Sequence, residues 1–139
     1  MEPMSLKNMV ALRVEFDRCW PWLWESMCEF GPTHNKEQVW FRICLGKAFL
    51  WTGRSCAILG EFIDHPIGLR CFNYWLQGPD LDACKVLHAG IEDWAKTKGC
   101  HQATGKGRRG WVRAMDGDWQ EGPTERKKWL IKSPPQVSP

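Results

Sequence analysis

The first part of the chain alternates between apolar and polar residues. Over residues 9–16, Leu12, Val14 and Phe16 occupy every second position, with Arg13 and Glu15 between them. A period of two is typical of a strand that buries one face. We therefore predict that the fold begins with a β-strand over residues 9–16.

Two helices are predicted to follow this strand. Residues 21–30 carry large apolar side chains at helical spacing, and Pro21 suits the first turn, where a helix needs no N–H donor. Residues 36–45 carry a second apolar stripe after Asn35 or Thr33, either of which can cap the helix. A glycine follows each segment, as is typical of helix ends.

Three strands and a long helix are predicted for the middle of the chain. Residues 48–51 and 55–63 flank a Thr-Gly-Arg turn and indicate a hairpin. Residues 69–76 are dense in aromatic side chains and predict a buried central strand. Asp80 precedes residues 81–98, whose apolar side chains recur at helical spacing, so it is predicted to cap the longest helix.

The end of the chain is predicted to alternate between strand and helix. The pattern indicates a strand over residues 101–107, a helix over 109–115, a short strand over 119–121 and a closing strand over 126–132. The basic run at 125–128 is predicted to face solvent on an edge strand, because lysines there discourage pairing with other chains. The order β-α-α-β-β-β-α-β-α-β-β predicts an α/β (α+β) fold with a mixed sheet.

Length and composition predict a single folded domain. The chain has 139 residues, 43% of them hydrophobic, which suits one core over residues 1–132. Residues 133–139, SPPQVSP, are proline-rich and predicted to be disordered. The net charge of +3 is too mild and too dispersed to favour nucleic acid as a partner.

Cysteine and tryptophan content indicate a cytoplasmic protein with a protein partner. The seven cysteines form no CxxC pair, and no signal segment or membrane-length apolar run is present, so free thiols and no secretion are expected. Ten tryptophans are several times the usual share. Most are expected in the core, but tryptophan is also enriched at interfaces, which leaves a partner surface or a homo-oligomer open.

The order of elements resembles the GNAT superfamily of N-acetyltransferases over nearly the whole chain. That resemblance implies an antiparallel meander, a long helix, and a parallel strand that diverges from its neighbour to admit acetyl-CoA. A closer similarity rests on WAKTKGC and GRRGW, carried by Trp94, Ala95, Lys96, Gly99, Cys100, Gly107, Arg108, Gly110 and Trp111. These motifs resemble small bacteriophage-encoded GNAT-like proteins found among head and tail morphogenesis genes.

The family's cofactor loop is poorly matched in this chain. GNAT enzymes hold the pyrophosphate with a Q/R-x-x-G-x-G/A loop before the long helix. The chain has this spacing at Gln102, Gly105 and Gly107, but after the long helix, so we interpret it as a coincidence. The matching position holds Leu76, Gln77, Gly78 and Asp80 as the cofactor candidates. A carboxylate at a helix start repels phosphate, so no cofactor is expected, with acetyl-CoA as the alternative.

Two residues are candidates for acetyl-transfer chemistry. Glu61 on a predicted strand is a candidate general base, and Tyr74, the only tyrosine, a candidate acid. A solvent-facing glutamate and a core tyrosine are the simpler interpretations. Cys84, His88, Cys100 and His101 fit no common zinc spacing, so no metal is predicted.

The basic turn after the long helix is the strongest candidate contact site. It comprises Lys106, Arg108, Arg109, Trp111 and Arg113. A structural role ranks first, contact with a protein partner second, because arginine and tryptophan dominate interface hot spots, and nucleic acid third.

The sequence thus predicts a phage-encoded GNAT-fold protein without catalytic activity, acting in the virion or in morphogenesis, and located in the host cytoplasm or the virion. An acetyl-CoA-dependent N-acyltransferase that modifies a phage or host protein is one alternative. A small inhibitor of a host protein is the other.

Overall fold

The computed structural model describes residues 1–106, 119–122 and 125–131. This part of the chain contains three helices and six strands around one mixed sheet, which confirms the α/β class in its broad form. The elements in chain order are α1 (Met9–Glu29), α2 (Lys36–Cys44), β1 (Phe49–Thr52), β2 (Cys56–Asp64), β3 (Arg70–Pro79), α3 (Leu81–Thr97), β4 (Gln102–Gly105), β5 (Gln120–Glu121) and β6 (Arg126–Trp129). The predicted helix over 109–115 and the tail over 133–139 lie outside the described residues.

The sheet has the order β1-β2-β3-β4-β6-β5. Neighbouring strands are antiparallel except for β3 and β4, which are parallel. The parallel pair follows from α3, since a helix between two strands carries the chain back to the same end of the sheet. Two apolar clusters cover the two faces of the sheet, one beneath α1 and α2 and one beneath α3.

The predicted first strand over residues 9–16 is wrong, because this segment is the first half of α1. Asn8 caps the helix, with its side chain accepting a hydrogen bond from the backbone of Ala11 at 3.1 Å. The buried face repeats at helical spacing along the whole helix, at Leu12, Phe16, Cys19, Leu23 and Met27. Val14, which the alternating pattern placed on the buried face, is 62% exposed. The local period of two was a short coincidence within a longer helical period.

The helix predicted over residues 21–30 is therefore the second half of α1. Pro21 lies inside the helix, not in its first turn. It removes one N–H donor from the helix interior, which is unfavourable by itself and is offset by the burial of the apolar face on both sides of it.

Most of the other predicted elements are confirmed. Asn35 caps α2 and forms a reciprocal pair of hydrogen bonds with Gln38, a capping box. β1 and β2 form the predicted hairpin, and β3 is buried between β2 and β4. β3 extends to Pro79, further than predicted, because Gly78 and Pro79 still pair with the start of β2.

The closing strand is not an edge strand, which corrects the interpretation of the basic run. β6 lies between β4 and β5, so its lysines do not protect an edge. Lys127 is exposed, but the Lys128 side chain is only 23% exposed and points beneath α3. In the described residues, no helix is long and apolar enough to cross a membrane.

A bulge in β3 determines which side chains face which core. Leu59 pairs with Leu76, but the next residue, Gly60, pairs with Tyr74, so Trp75 has no partner in β2. An extra residue reverses the alternation of faces. Tyr74 therefore packs beneath α3, whereas Leu76 packs beneath α1 and α2.

Candidate functional site

A cleft lies beside the end of β3, beyond the last described pair of β3 and β4. β4 ends at Gly105, opposite Tyr74, while β3 continues to Pro79 with no described strand on that side. A cavity of about 270 Å³ lies here between α1, the end of β3 and the start of α3. Its walls are formed by Trp22, Glu25, Ser26, Glu29, Phe30, Tyr74, Trp75, Gln77, Gly78, Pro79, Leu81, Cys84 and Lys106.

The described wall of the cleft carries both acidic and basic side chains. Glu25 and Glu29 lie one turn apart on α1 and are exposed, and Lys106 is the basic side chain among the wall residues that the structure describes. Two aromatic wall residues contact arginines of the chain itself. The Arg18 guanidinium lies 5.4 Å from the ring centre of Trp22, and that of Arg42 lies 5.8 Å from Trp75.

The N-terminus of α3 is capped by the Asp80 carboxylate, as the sequence predicted. Asp80 accepts a hydrogen bond from the backbone N–H of Ala83 at 3.2 Å and another from the Ser55 hydroxyl at 3.0 Å. These bonds hold the pKa of Asp80 below its ordinary value, with the Ala83 bond as the main cause. The positive end of the helix is thereby occupied by a negative group that is already part of the fold.

The other cofactor candidates also have structural contacts. Leu76 is buried in the core beneath α1 and α2. The Gln77 backbone N–H donates to the Ser26 hydroxyl at 3.1 Å, and its side-chain oxygen lies 2.8 Å from Nε2 of His88. Gly78 has a φ of +150°, which favours glycine at this position.

We expect Asp80→Ala to lower the melting temperature at neutral pH, because the first turn of α3 loses its cap. The folded pKa of Asp80 is depressed, so its contribution to stability is present above the ordinary value of 3.8 and is lost as the pH falls through the folded pKa. Thermal unfolding of both proteins from pH 7 to pH 2 measures this. A difference in melting temperature that stays constant down to pH 2 contradicts the assignment.

Tyr74 belongs to a buried polar network. Its hydroxyl donates to Oε2 of Glu92 on α3 at 2.7 Å, and the Lys128 ammonium donates to Oε1 of the same carboxylate at 2.6 Å. Tyr74 and Glu92 are 1% and 5% exposed. Burial, together with the nearby Glu92 carboxylate, raises the pKa of Tyr74 well above its ordinary value. Tyr74 is therefore a neutral hydrogen-bond donor that joins β3 to α3.

Glu61 is held in a second network, on the opposite face of the sheet. It forms an ion pair with Arg42 of α2 at 2.9 Å and accepts a bond from the Asn73 side chain at 3.4 Å. The Thr104 hydroxyl in turn donates to Asn73 at 3.0 Å. The two candidates for acid and base chemistry, Glu61 and Tyr74, therefore face opposite sides of the sheet.

Of the predicted basic contact site, the structure describes Lys106 alone. Lys106 is exposed and lines the cleft. Arg108, Arg109, Trp111 and Arg113 lie outside the described residues. Gln102 and Gly105 belong to β4, which follows α3. Their glycine pattern therefore lies after the long helix, as the sequence indicated.

The cysteines beside the cleft are buried thiols. Burial raises the pKa of Cys84 to about 12 and also raises that of Cys56, which contacts it. Thiols so far from ionisation are poor nucleophiles and poor metal ligands. Within the described residues, no three His, Cys, Asp or Glu side chains are placed to hold a metal ion.

Sequence reasoning missed the central member of the buried network. Glu92 occupies the buried face of α3 together with Cys84, His88, Ile91 and Ala95. A carboxylate at a core position of a strongly amphipathic helix is a signal that a buried partner exists, because an uncompensated buried charge is costly. The identity of that partner, Lys128, depends on strand order.

Comparison of the chain with protein-family models, curated proteins and solved structures found no match.

Proposed function

We propose that this chain is a non-catalytic binding protein that uses an acetyltransferase-like scaffold to hold a protein partner. The observation that carries the proposal is the start of α3, where the Asp80 carboxylate takes the backbone donor of Ala83. An anion-binding helix start needs such donors free for the ligand. Here the backbone N–H of Ala83 already donates to Asp80, and the Asp80 carboxylate gives the start of α3 a negative charge.

The arrangement of the sheet supports the scaffold assignment. The hairpin of β1 and β2, the central β3, the crossover through α3 and the parallel β4 follow the order that the GNAT resemblance implies. The order β4-β6-β5 places the last strand inside the sheet. In this chain the first half of α1 takes the place of the family's first strand. The GNAT-like scaffold is therefore part of the proposal.

The residues at the cleft do not fit the pyrophosphate of acetyl-CoA. Glu25 and Glu29 line it, Asp80 caps the adjacent helix, and Lys106 is the one basic side chain among the described wall residues. Bringing a pyrophosphate to this surface would place like charges together. The similarity to phage GNAT-like proteins makes a virion, assembly or host protein the partner class that we propose.

We expect millimolar acetyl-CoA to leave the melting temperature of the purified protein unchanged. A ligand at 100 times its dissociation constant would stabilise the fold by about 2.7 kcal/mol, which thermal unfolding detects easily. Asp80→Gly is the control variant, since it removes the carboxylate at the start of α3 and changes none of the described wall residues of the cleft. A clear upward shift with the unmodified protein would overturn the proposal.

An N-acyltransferase with a divergent cofactor loop is the second candidate. It is favoured by the end of β3, where residues 75–79 have no described strand on the cleft side. In this candidate function, the backbone of that stretch would bond the amides of an acyl carrier. The same titration distinguishes the two candidates, because the acyltransferase requires the upward shift.

A further inference from the structure

A second cavity lies beside β1, at the other end of the described sheet from β5. It has a volume of about 530 Å³ and is bounded by β1, the end of α2, the end of α3 and the segment before α1. This volume is within the range of sites for small molecules. The cavity and the cleft share none of their described wall residues. A ligand of the cavity therefore goes beyond the proposed function and does not depend on it.

Three aromatic rings form one wall of this cavity. Phe49 of β1, Phe62 of β2 and Trp94 of α3 contact one another, with ring centroids 5.0, 5.1 and 5.5 Å apart. Phe49 and Phe62 are only partly buried, although they pack against the core beneath α3. Apolar surface that is removed from water by a ligand contributes to binding, so this wall favours a ligand with an apolar body.

The segment before α1 forms another wall and is held in place by specific contacts. The backbone N–H of Met4 donates to the Leu50 carbonyl at 2.8 Å, and the Met4 side chain packs against the core beneath α1 and α2. Met1 packs against Gly90 of α3, where an added Cβ would lie 2.9 Å from the Cβ of Met1. The cavity therefore has ordered walls on both sides, as is typical of a pre-formed ligand site.

Ammonium groups at the cavity indicate the charge of the ligand. Lys7 and Lys98 both line it and are exposed, and Glu2 lines it on the same segment as Lys7. The Lys98 ammonium lies 5.8 Å from the ring centre of Trp94, so its position relative to the aromatic wall is defined. An ammonium group that meets a carboxylate forms charge-assisted hydrogen bonds. A carboxylate at Lys98 would leave its apolar chain against the rings.

The C-terminal end of α3 also accommodates an anion at this position. The last carbonyls of a helix carry partial negative charge, which would repel a carboxylate. The Arg70 guanidinium donates to the Lys98 carbonyl at 2.8 Å and lies 4.5 Å from the ring centre of Phe62. Two hydrogen bonds to Asp64 hold the guanidinium there. The carbonyl nearest the cavity is therefore already bound by a cation.

We propose that this cavity binds a small amphipathic carboxylate, with the carboxylate at Lys98 and the apolar part against the rings of Phe49, Phe62 and Trp94. Binding is non-covalent. Its affinity comes from the apolar surface that the ligand and the rings bury, and its preference for an anion comes from the ammonium group of Lys98.

The test is a titration of the full-length protein with octanoate, followed by NMR of the assigned backbone amides. We expect saturable shifts at Phe49 and Phe62, and none at Trp22 and Trp75 in the cleft. Acetate lacks the apolar chain, and octylammonium carries the opposite charge on the same chain, so both are expected to bind more weakly. The absence of saturable shifts at Phe49 and Phe62, or equal binding of octylammonium, overturns the proposal.

Charge-matched variants separate a site from general attraction. Lys98→Gln and Lys96→Gln each remove one ammonium group from the end of α3, but Lys96 is not among the described wall residues and pairs with Asp93 at 3.5 Å. We expect Lys98→Gln to weaken octanoate binding about threefold and Lys96→Gln to leave it nearly unchanged. Glu2→Gln is expected to strengthen it. Equal weakening by the two lysine variants would show that Lys98 does not hold the carboxylate and would overturn the proposal.

Discussion

Phe16→Ala is expected to reduce the free energy of unfolding by about 3–5 kcal/mol, whereas Val14→Ala is expected to change it by less than about 0.5 kcal/mol. Phe16 is fully buried and packs against the rings of Trp20 and Trp40, at centroid distances of 5.5 and 5.3 Å. Removing its ring leaves a cavity between α1, α2 and the sheet. Val14 is 62% exposed on the other side of α1.

Chemical denaturation followed by circular dichroism measures both variants. The two variants distinguish a helix from a strand over residues 9–16, because a strand with alternating burial would place Val14 and Phe16 on the same buried face. Similar large losses for the two variants would show that the strand interpretation was correct. A large loss of unfolding free energy for Phe16→Ala alone agrees with α1, in which Phe16 is buried and Val14 is exposed.

Lys128→Met is expected to reduce the free energy of unfolding by about 3 kcal/mol, because it leaves the Glu92 carboxylate with an uncompensated charge beneath α3. The Glu92 side chain is 6% exposed, and Lys128 supplies the charged donor at 2.6 Å. Tyr74 would then be the donor that this hydrogen-bond network retains. Urea denaturation at neutral pH measures the loss.

Two further variants make this expectation specific. Lys127→Met changes the exposed neighbour on β6 and is expected to have little effect. The double variant Glu92→Gln with Lys128→Met is expected to be more stable than Lys128→Met alone, because the amide oxygen still accepts from Tyr74 and no charge is buried. If the double variant were the less stable of the two, the charge of Glu92 would not be the cause of the loss.

The candidate site shows how far local reasoning extends. The cap at Asp80 followed from residues that are adjacent in the chain, because capping is decided within one turn. The cleft did not follow, because Glu25 of α1 and Trp75 of β3 are brought together only when the helix packs on the sheet. The set of residues that line the cleft could therefore be read only from the folded chain.

The basic run near the end of the chain makes the same point. Its composition favoured a solvent-facing edge strand, and Lys127 is exposed as expected, although its strand is not at the edge. Lys128 is not solvent-facing, because successive residues of a strand point to opposite faces and its face lies beneath α3. Strand order is a long-range property, and composition does not contain it.

The sequence by itself determined α2, α3, the hairpin of β1 and β2, and the buried strand β3. In each of these the apolar pattern continues over more than two repeats, or a cap or turn marks its end. The information that defines them is therefore local in the sequence. Only the tertiary structure decided which of two competing periods prevails over residues 9–16, and that Glu92 meets Lys128. The apolar face of α1 extends over both halves of the helix and is stabilised by packing on the sheet, which outweighs a short alternating pattern and a proline in its middle.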